Sequence, residues 1–159
     1  MTLTVTSNKF ADRVRDLRAQ GFRVDATHKR AYAETVKLRK RRVWDESNFR
    51  TITALVPKRN PTLYNAREAA ERGYTRLLER GGATYVRLTA PDGRVYEGEA
   101  ICNPIDRFTK KEGLNKALGR AIKNLTHGLD VEKIKELEKQ RKFQKEMTSI
   151  KAASMAVKQ

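Results

Sequence analysis

The sequence predicts an α+β fold, and three observations carry that prediction. Residues 84–89 and 94–102 are extended runs joined by Ala90-Pro91-Asp92-Gly93, whose proline and Asp-Gly pair supply the dihedral angles of a reversal. Leu114, Ala117, Leu118, Ala121, Ile122 and Leu125 then recur with helical period. Residues 49–56 have the Thr/Ile/Val content of a strand and stop at Pro57. The expected core is a small antiparallel sheet, a hairpin plus one strand, packed by two helices near Thr62 and Phe108. N-terminal helices and a charged C-terminal helix flank it. The corresponding divisions are a basic helical segment over 1–46, an α+β core over 47–128 and a charged helix over 129–159.

Taken in order, Ser7 and Asn8 offer caps to a first helix, in which Phe10, Val14 and Leu17 share a face until Gly21 stops it. Asp25 or Thr27 can cap a second helix running into the basic cluster at 37–42, although residues 32–39 can equally be drawn as a strand. Residues 44–48 read as a turn before the strand at 49–56. Pro61 suits a helix start, and Leu63, Ala66, Ala70, Tyr74 and Leu77 keep helical spacing up to Gly81-Gly82. In the hairpin, Val86 and Leu88 fall on one face and Tyr85 and Arg87 on the other. Pro104 then makes a polar corner, Asp106 caps the next helix, and Gly113 and Gly119 let that helix pack closely. Gly128 ends it. Val131, Ile134 and Leu137 open a last helix, whose apolar stripe slips and resumes at Phe143, Met147 and Ile150; such a helix lies across the domain or projects, and can serve oligomer formation.

The 159 residues hold 35 Lys+Arg against 19 Asp+Glu, a formal charge of +16. An excess of that size repels itself unless an anionic partner neutralises it, and nucleic acid is the commonest such partner. No apolar run approaches the ~20 residues of a bilayer span, so no membrane association is expected and the expected location is the cytoplasm. One cysteine, Cys102, and two histidines leave no zinc spacing, and neither a metal nor a cofactor is expected.

Two clusters are candidate phosphate sites. Lys116, Arg120 and Lys123 at i, i+4 and i+7 put three cations on one line of the helix after the hairpin, and Lys110 and Lys111 stand at its start beside unsatisfied backbone N–H groups. The second cluster is Arg39, Lys40, Arg41 and Arg42, followed by Trp44, an aromatic able to stack on a base; a lone tryptophan is more often a core residue. Arg67, Arg72, Arg76 and Arg80 form a further row, with Glu71 and Glu79 placed to neutralise part of it.

Enzymatic chemistry is not expected. Glu97 and Glu99 share a strand face but lack the lysine that a metal-dependent nuclease motif would add, and Asp92 is explained by its turn. There is no Walker-type loop and no Ser/His pattern suggestive of a triad. Cys102 is better read as a buried structural cysteine than as a low-pKa thiol near Lys110.

The pattern Gly98-x-Ala100-x-Cys102-x-Pro104-x-Asp106-x-Phe108-x-x-Lys111-x-Gly113-x-x-x-Ala117-x-Gly119-Arg120-Ala121 resembles one that recurs in small phage-encoded proteins, a circle that includes the anti-Thoeris nucleotide sponges. That resemblance implies a phage accessory protein acting in the host bacterial cytoplasm. For a sponge it implies phosphate contacts at Lys116 and Arg120. The helix opened by Asn60-Pro61-Thr62-Leu63, the hairpin, and the run from Lys110 to Ala117 also resemble the double-stranded-RNA-binding domain. The expected function is non-catalytic binding of nucleic acid, DNA or RNA, or of a nucleic-acid-containing host complex. The alternative is a counter-defence inhibitor that contacts a host protein or sequesters a cyclic nucleotide.

Overall fold

A computed structural model describes residues 9–45 and 50–156. Its elements are α1 (Phe10–Ala19), β1 (Arg23–Lys29), a 3-10 turn (Ala33–Thr35), β2 (Leu38–Asp45), β3 (Arg50–Pro57), α2 (Ala66–Glu71), β4 (Arg80–Thr89), β5 (Val95–Arg107), α3 (Lys110–Thr126) and α4 (Val131–Ala156). β1, β4 and β5 form a three-stranded antiparallel sheet in the order β1-β4-β5, and β2 and β3 pair as a separate antiparallel ribbon. The α+β expectation of a hairpin plus one strand packed by two helices is met.

The partners differ from those expected. The third strand is β1, not the segment that became β3, and the second covering helix is α1, not the one near Thr62. Arg23, Asp25, Thr27 and Lys29 alternate with Val24, Ala26 and His28 along β4, which a strand tolerates and a helix would scatter around its axis. The basic run that was open to either reading is likewise extended, in β2. Ser7, Asn8, Glu46, Ser47, Asn48 and Phe49 lie outside the described residues, so the caps and most of the turn placed there do as well.

The core lies between the sheet and the two helices. Leu17 from α1, Val86 and Leu88 from β4, and Ala117, Leu118 and Ala121 from α3 are all fully buried, with Phe22, Tyr96 and Ala100 around them. Each leucine buried there stabilises the fold by about 1.5–3 kcal/mol. As the alternation requires, Tyr85 and Arg87 face outward, and Arg87 forms an ion pair with its cross-strand partner Glu97 at 2.6 Å. The close approach of α3 to the sheet occurs at Gly98, where a Cβ would collide with the backbone of Ala117 and Ala121, and at Gly113, which sits against Thr84. Gly119 is not needed for packing; a Cβ there would meet only the Arg13 guanidinium, 3.9 Å away.

α2 is far shorter than the spacing of Leu63 to Leu77 suggests. Asn65 accepts from the Glu68 backbone while the Glu68 carboxylate accepts from that of Asn65, a capping box that fixes the start after Pro61 has passed. Gly73, at φ 72°, then reverses the chain. Residues 74–78 run extended instead, bonding back to the stretch after β1 through Ala33 N to Arg76 O and Leu78 N to Ala31 O. Glu34 closes this junction by accepting from Thr75 N, Thr75 Oγ1 and Arg76 N, and these bonds hold its carboxyl at about 2.

Candidate functional site

The expected corner at Pro104 is a bulge within β5. Gly82 pairs with Cys102 and Arg80 with Arg107, so the chain between Cys102 and Arg107 is longer than its β4 counterpart and must loop outward. Gly81, at φ 73°, provides the opposing surface, with Pro104 Cα 3.1 Å from where a Cβ would stand. Inside the bulge the Cys102 sulfur faces the carbonyls of Asn103, Asp106 and Arg107 at 3.5–3.7 Å. Burial raises this thiol's pKa, although the side chain is only half-buried and not the fully buried cysteine expected. Asp106 does not cap α3. The strand continues past it to Arg107, and the N-cap is Thr109, which makes no side-chain cap bond.

Beneath the start of α3, Phe108 packs edge-on to His28 and under the Arg30 guanidinium, 4.1 Å from the ring centroid. Arg30 also donates to Leu78 O at 2.6 Å, and His28 Nδ1 lies 3.0 Å from Thr84 Oγ1. Burial first, then Lys110 and Arg30, lower the His28 pKa and favour the neutral ring. These contacts fix the N-terminal turn of α3 against the bulge.

β5 is an edge strand, and α3 covers that edge. Arg120 Nη1 donates to the Glu99 carbonyl, and Asn124 Nδ2 donates to the Glu97 carbonyl at 2.8 Å. Four residues along a helix advance about 6 Å and two along a strand about 6.7 Å, so side chains at i and i+4 can meet alternate strand carbonyls. Lys116, one step further up the helix, pairs with Glu112. The row read as a line of free cations is therefore largely engaged within the fold. Lys110, Lys111 and Lys123 are exposed and have no carboxylate partner among the described residues.

The β2–β3 ribbon differs. Arg39, Lys40, Arg41 and Arg42 stand opposite Val56, Leu55, Ala54 and Thr53, so no cross-strand carboxylate faces any of them. Nor does one elsewhere among the described residues. Val43 and Val56 are buried, which makes theirs the inner face. Alternation therefore puts Lys40, Arg42 and Trp44 together on the outer face, with Leu55 55% exposed beside them. Trp44 is not a core residue: it is 70% exposed.

Trp44 also joins the two candidate clusters. It borders a concavity of about 590 Å³ whose other walls include Ile101, Cys102, Asn103, Phe108 and Lys116. Three cations line this hollow, Arg80, Arg107 and Lys116, against three carboxylates, Glu79, Asp106 and Glu112. Arg80 is held by Ile105 O at 2.6 Å and Lys116 by Glu112. Of the predicted site residues, Trp44 and Lys116 meet here, while Arg39–Arg42 extend along the ribbon away from it. Sequence reasoning placed Arg80 only in a row with Arg67, Arg72 and Arg76, and missed Asn103, Arg107 and the 66% exposed Ile101. The one available signal was Ile101, an isoleucine on the outward-facing register of β5 alongside Glu97 and Glu99.

Among the described residues no group of three His, Cys, Asp or Glu side chains is placed to hold a metal ion, and no helix is long and apolar enough to cross a membrane. No family model, curated protein or solved structure matches this chain.

Proposed function

We propose that this protein binds nucleic acid without catalysis, through the outer face of the β2–β3 ribbon. The observation that carries the reading is the group Lys40, Arg42 and Trp44, two cations without carboxylate partners among the described residues and an exposed aromatic on one ribbon face. Some arginines elsewhere are neutralised locally, as in Arg67–Glu71, Arg76–Glu34 and Arg87–Glu97. Lys40 and Arg42 have no such partner among the described residues, and unpaired cations in line with an exposed aromatic suit a phosphate backbone with adjacent bases. The balanced charge of the concavity speaks against a free cyclic nucleotide as the ligand, because a small anion enclosed there would meet as many carboxylates as cations.

Anisotropy of a labelled oligonucleotide, titrated with protein over a range of salt, tests this. Binding should weaken steeply with salt, and Lys40→Glu/Arg42→Glu should make the slope of log K against log salt shallower by about 1.4 for a single strand, or about 1.8 for a duplex, if each cation meets one phosphate. No binding at low salt, or an unchanged slope in the variant, would refute the reading.

A further inference from the structure

Resting on that reading, we infer that the preferred ligand is single-stranded and that one of its bases enters the concavity beside Trp44. A two-stranded ribbon is also the size of element that enters a duplex major groove, so the choice between duplex and single strand has to come from the side chains. Trp44 and Ile101, 70% and 66% exposed, present large apolar surfaces at the rim of one hollow. A duplex keeps the faces of its bases stacked on one another and offers a ribbon only their edges. An unpaired base has a face free to lie on an indole.

The charge on the concavity's walls points the same way. Arg80, Arg107 and Lys116 are matched by Glu79, Asp106 and Glu112, so the hollow does not favour a phosphate. A base is uncharged and carries donors and acceptors on its edge, and the Asn103 amide and the side chains of these paired groups provide complementary ones. The unpartnered cations lie outside, on the same ribbon face as Trp44, at Arg42 and Lys40, two and four residues along the strand. At about 3.3 Å per residue these positions lead away from the hollow in steps of roughly 7 Å. The base sits in the balanced pocket and its backbone follows the ribbon.

The chain has a single tryptophan, so its emission reports this site alone. The full-length protein is titrated with a 20-mer of deoxythymidine, a 20-mer of uridine and a mixed-sequence 20-base-pair duplex at one salt concentration, recording tryptophan emission and oligonucleotide anisotropy together. Either single strand should quench Trp44 and bind more tightly than the duplex. Trp44→Ala should weaken single-strand binding by about 5- to 150-fold, and Trp44→Phe should recover much of it. Because Trp44 is exposed, neither change should disturb folding. Duplex binding as tight as single-strand binding, or a Trp44→Ala variant that binds single strands like the parent, would overturn the inference and leave the binding reading standing. An anisotropy that rises with none of the three would overturn both.

Discussion

Replacing Gly98 by alanine is a direct test of how α3 is seated. The backbone at Gly98 is not in the left-handed region, so the substitution brings no φ strain and its effect is steric alone. The added methyl would fall inside the contact distance of Ala117 O and Ala121 N, backbone atoms that cannot rotate away, with Ala121 Cα at 3.1 Å. Restoring carbon contacts near 3.5 Å requires the helix to back off by about 1 Å, which forfeits a quarter to a half of the dispersion along that seam. Overpacking of this kind costs about 1–3 kcal/mol. The same displacement lengthens the bonds from Arg120 and Asn124 to the β5 edge, each worth about 1 kcal/mol. A total of about 3–5 kcal/mol lowers the melting temperature of a chain this size by roughly 6–20 °C. Gly119→Ala, in α3 itself, is the control. Only the Arg13 guanidinium lies near, so the gain in helix propensity of about 0.5–1 kcal/mol should raise the melting temperature by roughly 1–4 °C. Thermal unfolding followed by circular dichroism decides the matter. A Gly98→Ala variant melting within 2 °C of the parent would refute the packing argument, and matching losses in both variants would show that the loss does not come from the closeness of α3 at Gly98.

Two further outcomes follow from the site's surroundings. Arg120→Ala should lower the melting temperature by about 2–4 °C through loss of its bond to Glu99 O, while oligonucleotide affinity changes less than in Lys40→Glu/Arg42→Glu; the reverse ranking would return Arg120 to the interface. Glu34, held at about 2 against 4.5 when unfolded, contributes stability that is full above pH 4.5 and is lost as pH falls through that interval toward 2. Glu34→Gln should therefore melt below the parent at pH 7, with the gap narrowing between pH 5 and pH 3; a constant gap would mean that the backbone bonds, not the charge, hold the junction.

The hairpin and α3 were legible because local rules determine them: strict alternation at Tyr85–Leu88, a Pro-Asp-Gly reversal, and six apolar residues at helical period. β1 was not, because its only large apolar residue is Val24 and its pairing partner β4 lies some sixty residues away. The length of α2 was overread because Tyr74 and Leu77, though correctly spaced for a helix, belong to an extended segment, with Tyr74 against Tyr32 and Tyr64 and Leu77 bridging to Tyr32. At the site, the sequence identified the cations but not which of them were engaged. That depends on Arg120 meeting the carbonyl of Glu99, a contact between a helix face and a strand edge that no pattern within either element encodes. The concavity drew its walls from β2, the start of β4, the bulge of β5 and the first turns of α3, so no single motif could mark it.

The proposed binding gives the ribbon's composition a physical reason. Two strands outside a larger sheet are marginally stable in water, and the buried face of this pair carries Val43 of β2 and Val56 of β3. Four consecutive cations on β2, opposite Val56, Leu55, Ala54 and Thr53, add repulsion that nothing across the ribbon relieves. A chain selected for stability alone would place glutamate or threonine among them, as it places Glu97 opposite Arg87. If the proposed anionic strand lies along Lys40 and Arg42 it removes that repulsion, so its binding would stabilise the ribbon, and by linkage whatever loosens the ribbon would weaken binding. On that reading, mutations at the buried Val43 or Val56 should lower oligonucleotide affinity through the stability of the surface that carries it, and an unchanged affinity in a destabilised Val56→Ala variant would refute the coupling.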